Sequence, residues 1–115
     1  MEHTPIDTLS AEHYTWGENC SGWHLLRSAQ LSVIEESMPP GTSETRHYHE
    51  KSQQFFYILE GSARFEIGDE LVTLHARQGL PVAAGTPHRI FNDSQEALRF
   101  LVISSPPAQG DRFPA

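Results

Sequence analysis

The chain has 115 residues and a net charge of −7 with its histidines neutral. That length suits one domain, and the acidic balance argues against nucleic acid or anionic membrane as the main partner, since both require clustered Lys and Arg. A single cysteine, Cys20, cannot form an internal disulfide and points to a reducing, cytoplasmic setting; no basic start followed by an apolar run reads as a secretory signal, and no apolar stretch approaches the ~20 residues that span a bilayer.

Residues 1–20 are polar and read as an N-terminal extension. Ser10 is a good N-cap, so the stretch from Ser10 to His13 predicts a short helical start. Tyr14 and Trp16 predict that the segment docks onto the body or onto a second subunit. Strands are predicted over 23–28 and 30–38; Leu31-Ser32-Val33 alternates and Ile34 breaks the pattern, as happens when both faces are partly covered. Pro39-Pro40-Gly41 ends that strand. The next strand runs over 45–49, and Glu50-Lys51-Ser52 is a polar turn. Residues 53–59 form a strand with Gln54, Phe56 and Ile58 on one face and Phe55, Tyr57 and Leu59 on the other. Further strands follow over 63–67, 71–75, 79–84, 87–92 and 98–104. The tail over 106–115 is extended, either crossing the mouth of the body or hanging as a loose end. Short strands spaced by roughly eight to twelve residues indicate an all-β sandwich or barrel over 21–105, with little helix.

The chemistry concentrates at His47-Tyr48-His49. Residues two apart on a strand point to one face, so two imidazoles project together. His88, in the stretch from Gly85 to Asn92, supplies a third. Imidazole groups of this kind suit a divalent transition metal. His24 and His75 read as strand histidines outside that group, His3 and His13 as solvated, and Cys20 as inert. Phe56, Ile58 and Phe65 read as core or as the lining of an apolar pocket.

At this point the sequence resembles the cupins. Their first motif is present as Gly41, His47, His49, Gln54 and Gly61, with every spacing kept. Their second is present as Ala83, Gly85, His88 and Asn92, with Ala83 in place of the usual proline and Arg77 where a glycine often begins the preceding turn. The resemblance implies a double-stranded β-helix, or jelly-roll barrel. It also implies one divalent metal (Fe, Ni, Mn, Zn or Cu) at His47, His49, His88 and the position of Gln54. Gln54 replaces the usual glutamate, and either ligates through its carbonyl oxygen or only orients a histidine. A ligand set that is neutral throughout leaves the full charge of an ion uncompensated, which favours an anionic ligand or substrate.

Among functions, a metal-dependent enzyme acting on a small anionic or enolisable molecule leads. Oxygenase chemistry is slightly favoured over a sugar-phosphate isomerase or epimerase, because isomerisation needs an acid/base pair that the motifs do not supply. Glu36, Glu66 or Tyr57 would serve only if the fold turned them inward. A small-molecule-binding module without turnover is the alternative from another class. The bulky Phe55 and Tyr57 face predicts a homodimer.

Overall fold

Residues that alternate in and out along short strands can bury one face only by closing a second sheet over the first. The computed structural model, which describes residues 3–115, shows this arrangement. Eleven strands are present among the described residues: β1 (Glu12–Trp16), β2 (Cys20–Arg27), β3 (Ser32–Met38), β4 (His47–Tyr48), β5 (Gln53–Glu60), β6 (Ser62–Ile67), β7 (Glu70–His75), β8 (Gly79–Val82), β9 (His88–Phe91), β10 (Leu98–Ser105) and β11 (Phe113–Pro114). They form a six-stranded sheet in the order β1-β2-β3-β10-β5-β8 and a five-stranded sheet in the order β11-β4-β9-β6-β7. All pairings are antiparallel. No helix among the described residues is long and apolar enough to cross a membrane.

Between the sheets lies the core. Phe65, Ile58, Phe100, Leu98 and Ala63 are fully buried, with Phe56, Ile90 and Val82 close behind. On β5 the expected division holds: Gln54, Phe56 and Ile58 are buried, whereas Phe55 and Leu59 are exposed. Phe56 meets Phe65 edge-on at 4.7 Å between ring centroids, one of the arrangements aromatic pairs prefer.

One segment departs from expectation, and the tail takes one of its two expected courses. The helical start at Ser10 is absent. Instead Asp7 caps a turn, accepting hydrogen bonds from the Leu9 and Ala11 amides, and residues from Glu12 onward form β1 against β2. β1 alternates a half-buried Tyr14 and Trp16 with exposed His13 and Thr15, so period-two packing prevails over the N-cap signal. The tail is not loose: β11 pairs with β4, Phe113 opposite Tyr48 and Pro114 opposite His47, and the rings of Tyr48 and Phe113 stack at 5.4 Å.

Candidate metal centre and its cavity

The two histidine-bearing stretches are antiparallel neighbours along their full length. The Gly41 amide donates to the Asn92 carbonyl and the Asn92 amide to the Thr42 carbonyl. Ser43 bridges to Phe91. The Glu44 amide donates to the Ile90 carbonyl, His47 lies opposite His88, and the Gly85 amide donates to the His49 carbonyl. This register explains the motif spacing: it sets His88 beside His47, with His49 two residues further on. Gly85 has φ of +82°, which glycine adopts without steric cost. Asn92 is spent on structure. Its Nδ2 donates to the Met38 and Glu96 carbonyls, and its Oδ1 accepts from the Ser94 amide and hydroxyl.

His47, His49 and His88 are all buried, and a ring nitrogen of each lies within 4.8 Å of the others. The remaining nitrogens are fixed. His47 Nδ1 bonds the Thr45 carbonyl at 2.7 Å, His88 Nδ1 the Thr86 carbonyl at 2.9 Å, and His49 Nδ1 the Asp111 carbonyl. A carbonyl only accepts, so each Nδ1 carries the proton and each Nε2 keeps its lone pair. Burial is the main cause that pushes His47 down to about 4, with the Arg112 charge and the other two imidazoles adding to it and the Thr45 hydrogen bond opposing. Burial lowers His88 in the same way. Both are neutral at neutral pH, the form that ligates metal.

Gln54 stands on β5 opposite Ser104. Its Nε2 donates to the Ser104 hydroxyl at 3.0 Å. Gln54 Oε1, His49 Nε2 and His88 Nε2 are buried and have no partner. Buried polar atoms normally find one, so this set of an oxygen and imidazole nitrogens fits a divalent transition ion.

The centre opens into a cavity of about 270 Å³ that also carries Phe56, His24, Glu36, Glu44 and Arg112. Here the structure supplies what motif reading lacked. Glu36 is in phase with Ser32 and Ile34 along β3, and all three reach the cavity. Burial pushes Glu36 up to about 7, against the lowering effects of a hydrogen bond from Tyr14 and the charge of Arg112. Burial likewise pushes Glu44 up to about 8; the bond it accepts from the Ile90 amide and the charges of Arg112 and Arg89 lower it, while Glu36 raises it. The Tyr14 hydroxyl donates to Glu36 Oε2 at 2.6 Å, and burial and the Glu36 charge raise its own titration. Glu66, by contrast, faces outward and pairs with Arg46 and Arg89. Tyr57 is on the outer face of β5.

His24 is a strand histidine outside the histidine group, as expected, but it also lines this cavity and packs on Tyr14 at 5.0 Å between ring centroids. His75, His13 and His3 are exposed. Cys20 is fully buried, and burial raises its thiol, consistent with an inert role. One signal for Glu36 was present in the sequence, an acidic residue in step with the inward Ile34 and Met38. None marked Glu44, which comes from a loop, or gave Tyr14 this destination on its edge strand; for Arg112 the signal was the tail expected to cross the mouth.

Known proteins share this framework. The chain is 37% identical over 79 residues to the tetracenomycin polyketide synthase protein TcmJ of Streptomyces glaucescens, covering 69% of this chain and 52% of that protein. It is 35% identical over 69 residues to the polyketide synthase CurC of Streptomyces cyaneus, covering 60% and 45%. The chain thus spans about half the length of these curated relatives. The polyketide cyclase RemF of Streptomyces resistomycificus superposes with a TM-score of 0.79 at 17% identity over 92% of this chain and 81% of its own, a likeness of fold. The family model described as "Cupin domain" matches residues 34–104, which hold both histidine stretches and every strand from β4 to β9. This chain belongs to the cupin family.

Proposed function

We propose that the chain is a metal-dependent enzyme that moves protons on a small, anionic, enolisable carbonyl compound of polyketide type. The observation that carries this reading is the placement of two carboxyl groups, Glu36 and Glu44, in the cavity that His47, His49 and Gln54 also line. Oxygen chemistry leads on the sequence because an acid/base pair is missing from the motifs; Glu36 and Glu44 remove that ground. The polyketide chemistry for which TcmJ, CurC and RemF are named supports the substrate class.

His47, His49, His88 and the Gln54 carbonyl oxygen would hold a divalent ion, which when bound would supply positive charge next to a substrate oxygen. The chain's own groups do the rest. Glu36, ionised in part near neutral pH, takes a proton from the carbon next to the carbonyl. Glu44, more fully protonated, returns one at a second position of the same molecule. Tyr14 holds the Glu36 carboxylate, and Arg112 adds positive charge that favours an anionic substrate. Phe56 and Val102 give the cavity an apolar wall.

The test is proton–deuterium exchange next to the carbonyl of 4-oxopentanoate in D2O, followed by NMR, with protein loaded separately with zinc, iron(II), nickel, manganese or copper. Exchange is expected with the wild type, and loss of about 10²-fold in Glu36→Gln and Glu44→Gln at unchanged metal content. Exchange that survives both substitutions overturns the proposal. Oxygen uptake without exchange supports the oxygenase reading instead. Phe55 and Leu59, 38% and 36% exposed on the outer face of the larger sheet, mark the side where a second copy of the chain would dock. Equilibrium sedimentation is expected to give a dimer, and a monomer at all concentrations removes that part.

A further inference from the structure

The tail makes contacts out of proportion to its length, and they converge on one residue. The Asp111 carbonyl accepts the Nδ1 proton of His49. Its Oδ1 accepts from the Glu50 amide at 2.8 Å, and its Oδ2 from the Lys51 and Ser52 amides at 3.0 and 2.9 Å. Those three amides form the turn between His49 and β5, the strand that carries Gln54. A single residue about sixty positions downstream therefore fixes one histidine directly and clamps the turn joining it to the glutamine. Flanking contacts hold Asp111 in place. Its own amide donates to the Ala108 carbonyl at 3.0 Å, the Ser52 hydroxyl donates to the Pro106 carbonyl at 2.6 Å, and β11 continues onto β4.

We propose that Asp111 is a positioning residue of the metal centre, acting through His49 and the Glu50–Ser52 turn. The segment it anchors thereby becomes a strap whose docking and metal binding reinforce each other. The proposal rests on the reading of the histidine group as a metal site. The tautomer argument shows how it works. Without an acceptor at Nδ1, the His49 proton is free to move to Nε2, which removes the lone pair aimed at the other two histidines. Thr45 and Thr86 serve His47 and His88 from two residues away on the same stretch, so those rings are set locally. His49 depends on a partner from the far end of the chain. The strap also walls the cavity through Pro107, Ala108, Gly110 and Arg112, so docking it both completes the ligand and encloses the substrate space. Because coupling free energy is reciprocal, metal must tighten the strap as much as the strap tightens metal.

The experiment uses the full chain as wild type, Asp111→Ala and Asp111→Asn, with Asp69→Ala as a control for loss of one surface carboxylate and His47→Ala as a ligand control. Zinc affinity is measured by chelator competition, and the His49 tautomer by long-range nitrogen–proton NMR on the metal-free protein. Affinity is expected to fall about 10- to 100-fold in Asp111→Ala. Asp111→Asn should be intermediate, and Asp69→Ala should match the wild type. In Asp111→Ala the backbone carbonyl remains but loses the side-chain clamp that holds it against His49, so the carbonyl withdraws and the His49 resonances should move toward a tautomer mixture while those of His47 and His88 stay. Zinc should slow amide exchange over residues 108–114 in the wild type. A purely structural role would lower melting temperature without altering the tautomer. Should Asp111→Ala fail to fold, Asp111→Asn carries both readouts. Wild-type affinity together with an unchanged His49 tautomer in the Asp111 variants overturns the proposal. A wild type that binds zinc no better than His47→Ala removes the metal reading itself, and the tautomer alone then decides whether Asp111 positions His49.

Discussion

Tyr14 and Glu36 sit two strands apart, yet the phenol of one bonds the carboxylate of the other at 2.6 Å. Gly22 lies opposite both, pairing with Tyr14 across β1–β2 and with Glu36 across β2–β3. With no side chain in the middle of that row, the Tyr14 ring lies flat across the strand. A Cβ at Gly22 would stand 2.1 Å from Tyr14 Cζ. Gly22→Ala is therefore expected to expel the ring and to destabilise the protein by about 1–3 kcal/mol. Tyr14→Phe keeps the packing and loses the bond. In that variant Glu36 should titrate above its present value of about 7, read from the side-chain carboxyl carbon by NMR. An unchanged Glu36 titration would show that the bond does not stabilise the charged form.

The pH dependence of stability in the metal-free protein should carry two opposed slopes. Glu36 is raised from 4.5 to about 7, so between those values the folded state holds more protons and stability falls as pH rises. His47 is lowered from 6.5 to about 4, so between those values the unfolded state holds more protons and stability rises with pH. The two effects oppose each other from pH 4.5 to 6.5. Tyr14 on β1, His24 on β2, Glu44 before β4 and Arg112 on the strap surround Glu36, and their substitution would shift its window. Glu36→Gln removes its own falling contribution and leaves that of Glu44, raised from 4.5 to about 8, so its denaturant midpoint should change with pH across 4.5–6.5 more favourably than that of the wild type. Parallel curves for the two proteins would contradict the assignment.

Gln54 tests the charge argument. Its Oε1 is buried without a partner while its Nε2 bonds Ser104. Gln54→Glu puts a negative charge among the three imidazoles. The Ser104 hydroxyl is able to turn and donate to it. Divalent metal should bind about tenfold tighter or more, and formate should bind the loaded protein more weakly, both by calorimetry. Unchanged formate affinity would mean that the neutral ligand set does not set anion preference.

Arg77 offers a gain in stability. It has φ of +71°, in the left-handed region that costs a residue with a Cβ about 1–2 kcal/mol. It ends β7 by donating its amide to the Ile58 carbonyl at 2.8 Å, so the conformation is held from outside. Arg77→Gly should raise stability by up to about 1 kcal/mol, the relief being offset in part by the freer unfolded chain. Thermal unfolding at fixed pH is the measurement, and a lower midpoint would refute the strain.

How much of this was legible in the sequence differed by physical cause. The barrel strands announced themselves because alternation is local: β5 and β6 carry it in their own residues, and Gln54, Phe56 and Ile58 face inward as expected. The trihistidine group was equally readable, since His47 and His49 share a face by pleat geometry and the motif spacing brought in His88. Glu44 was not readable, because a loop path places it at the cavity, and Arg112 only as one of two courses open to the tail, because what fixes that course is contact with residues about sixty positions away. Tyr14 was read as a docking residue without a destination. Its target depends on an empty position at Gly22, and a glycine in a strand advertises room without saying what fills it.

Tyr14 comes from β1, the edge strand of the larger sheet, and the strap from Pro106 to Pro114 follows β10. The histidines able to hold a metal are thus embedded in the barrel, whereas part of the enclosure and the hydroxyl that bonds Glu36 are contributed by flanking ribbons. Evolution can therefore retool what such a protein accepts by rewriting those two ribbons and leaving the barrel alone. A designer altering its selectivity would start there, provided the Asp111 clamp were kept.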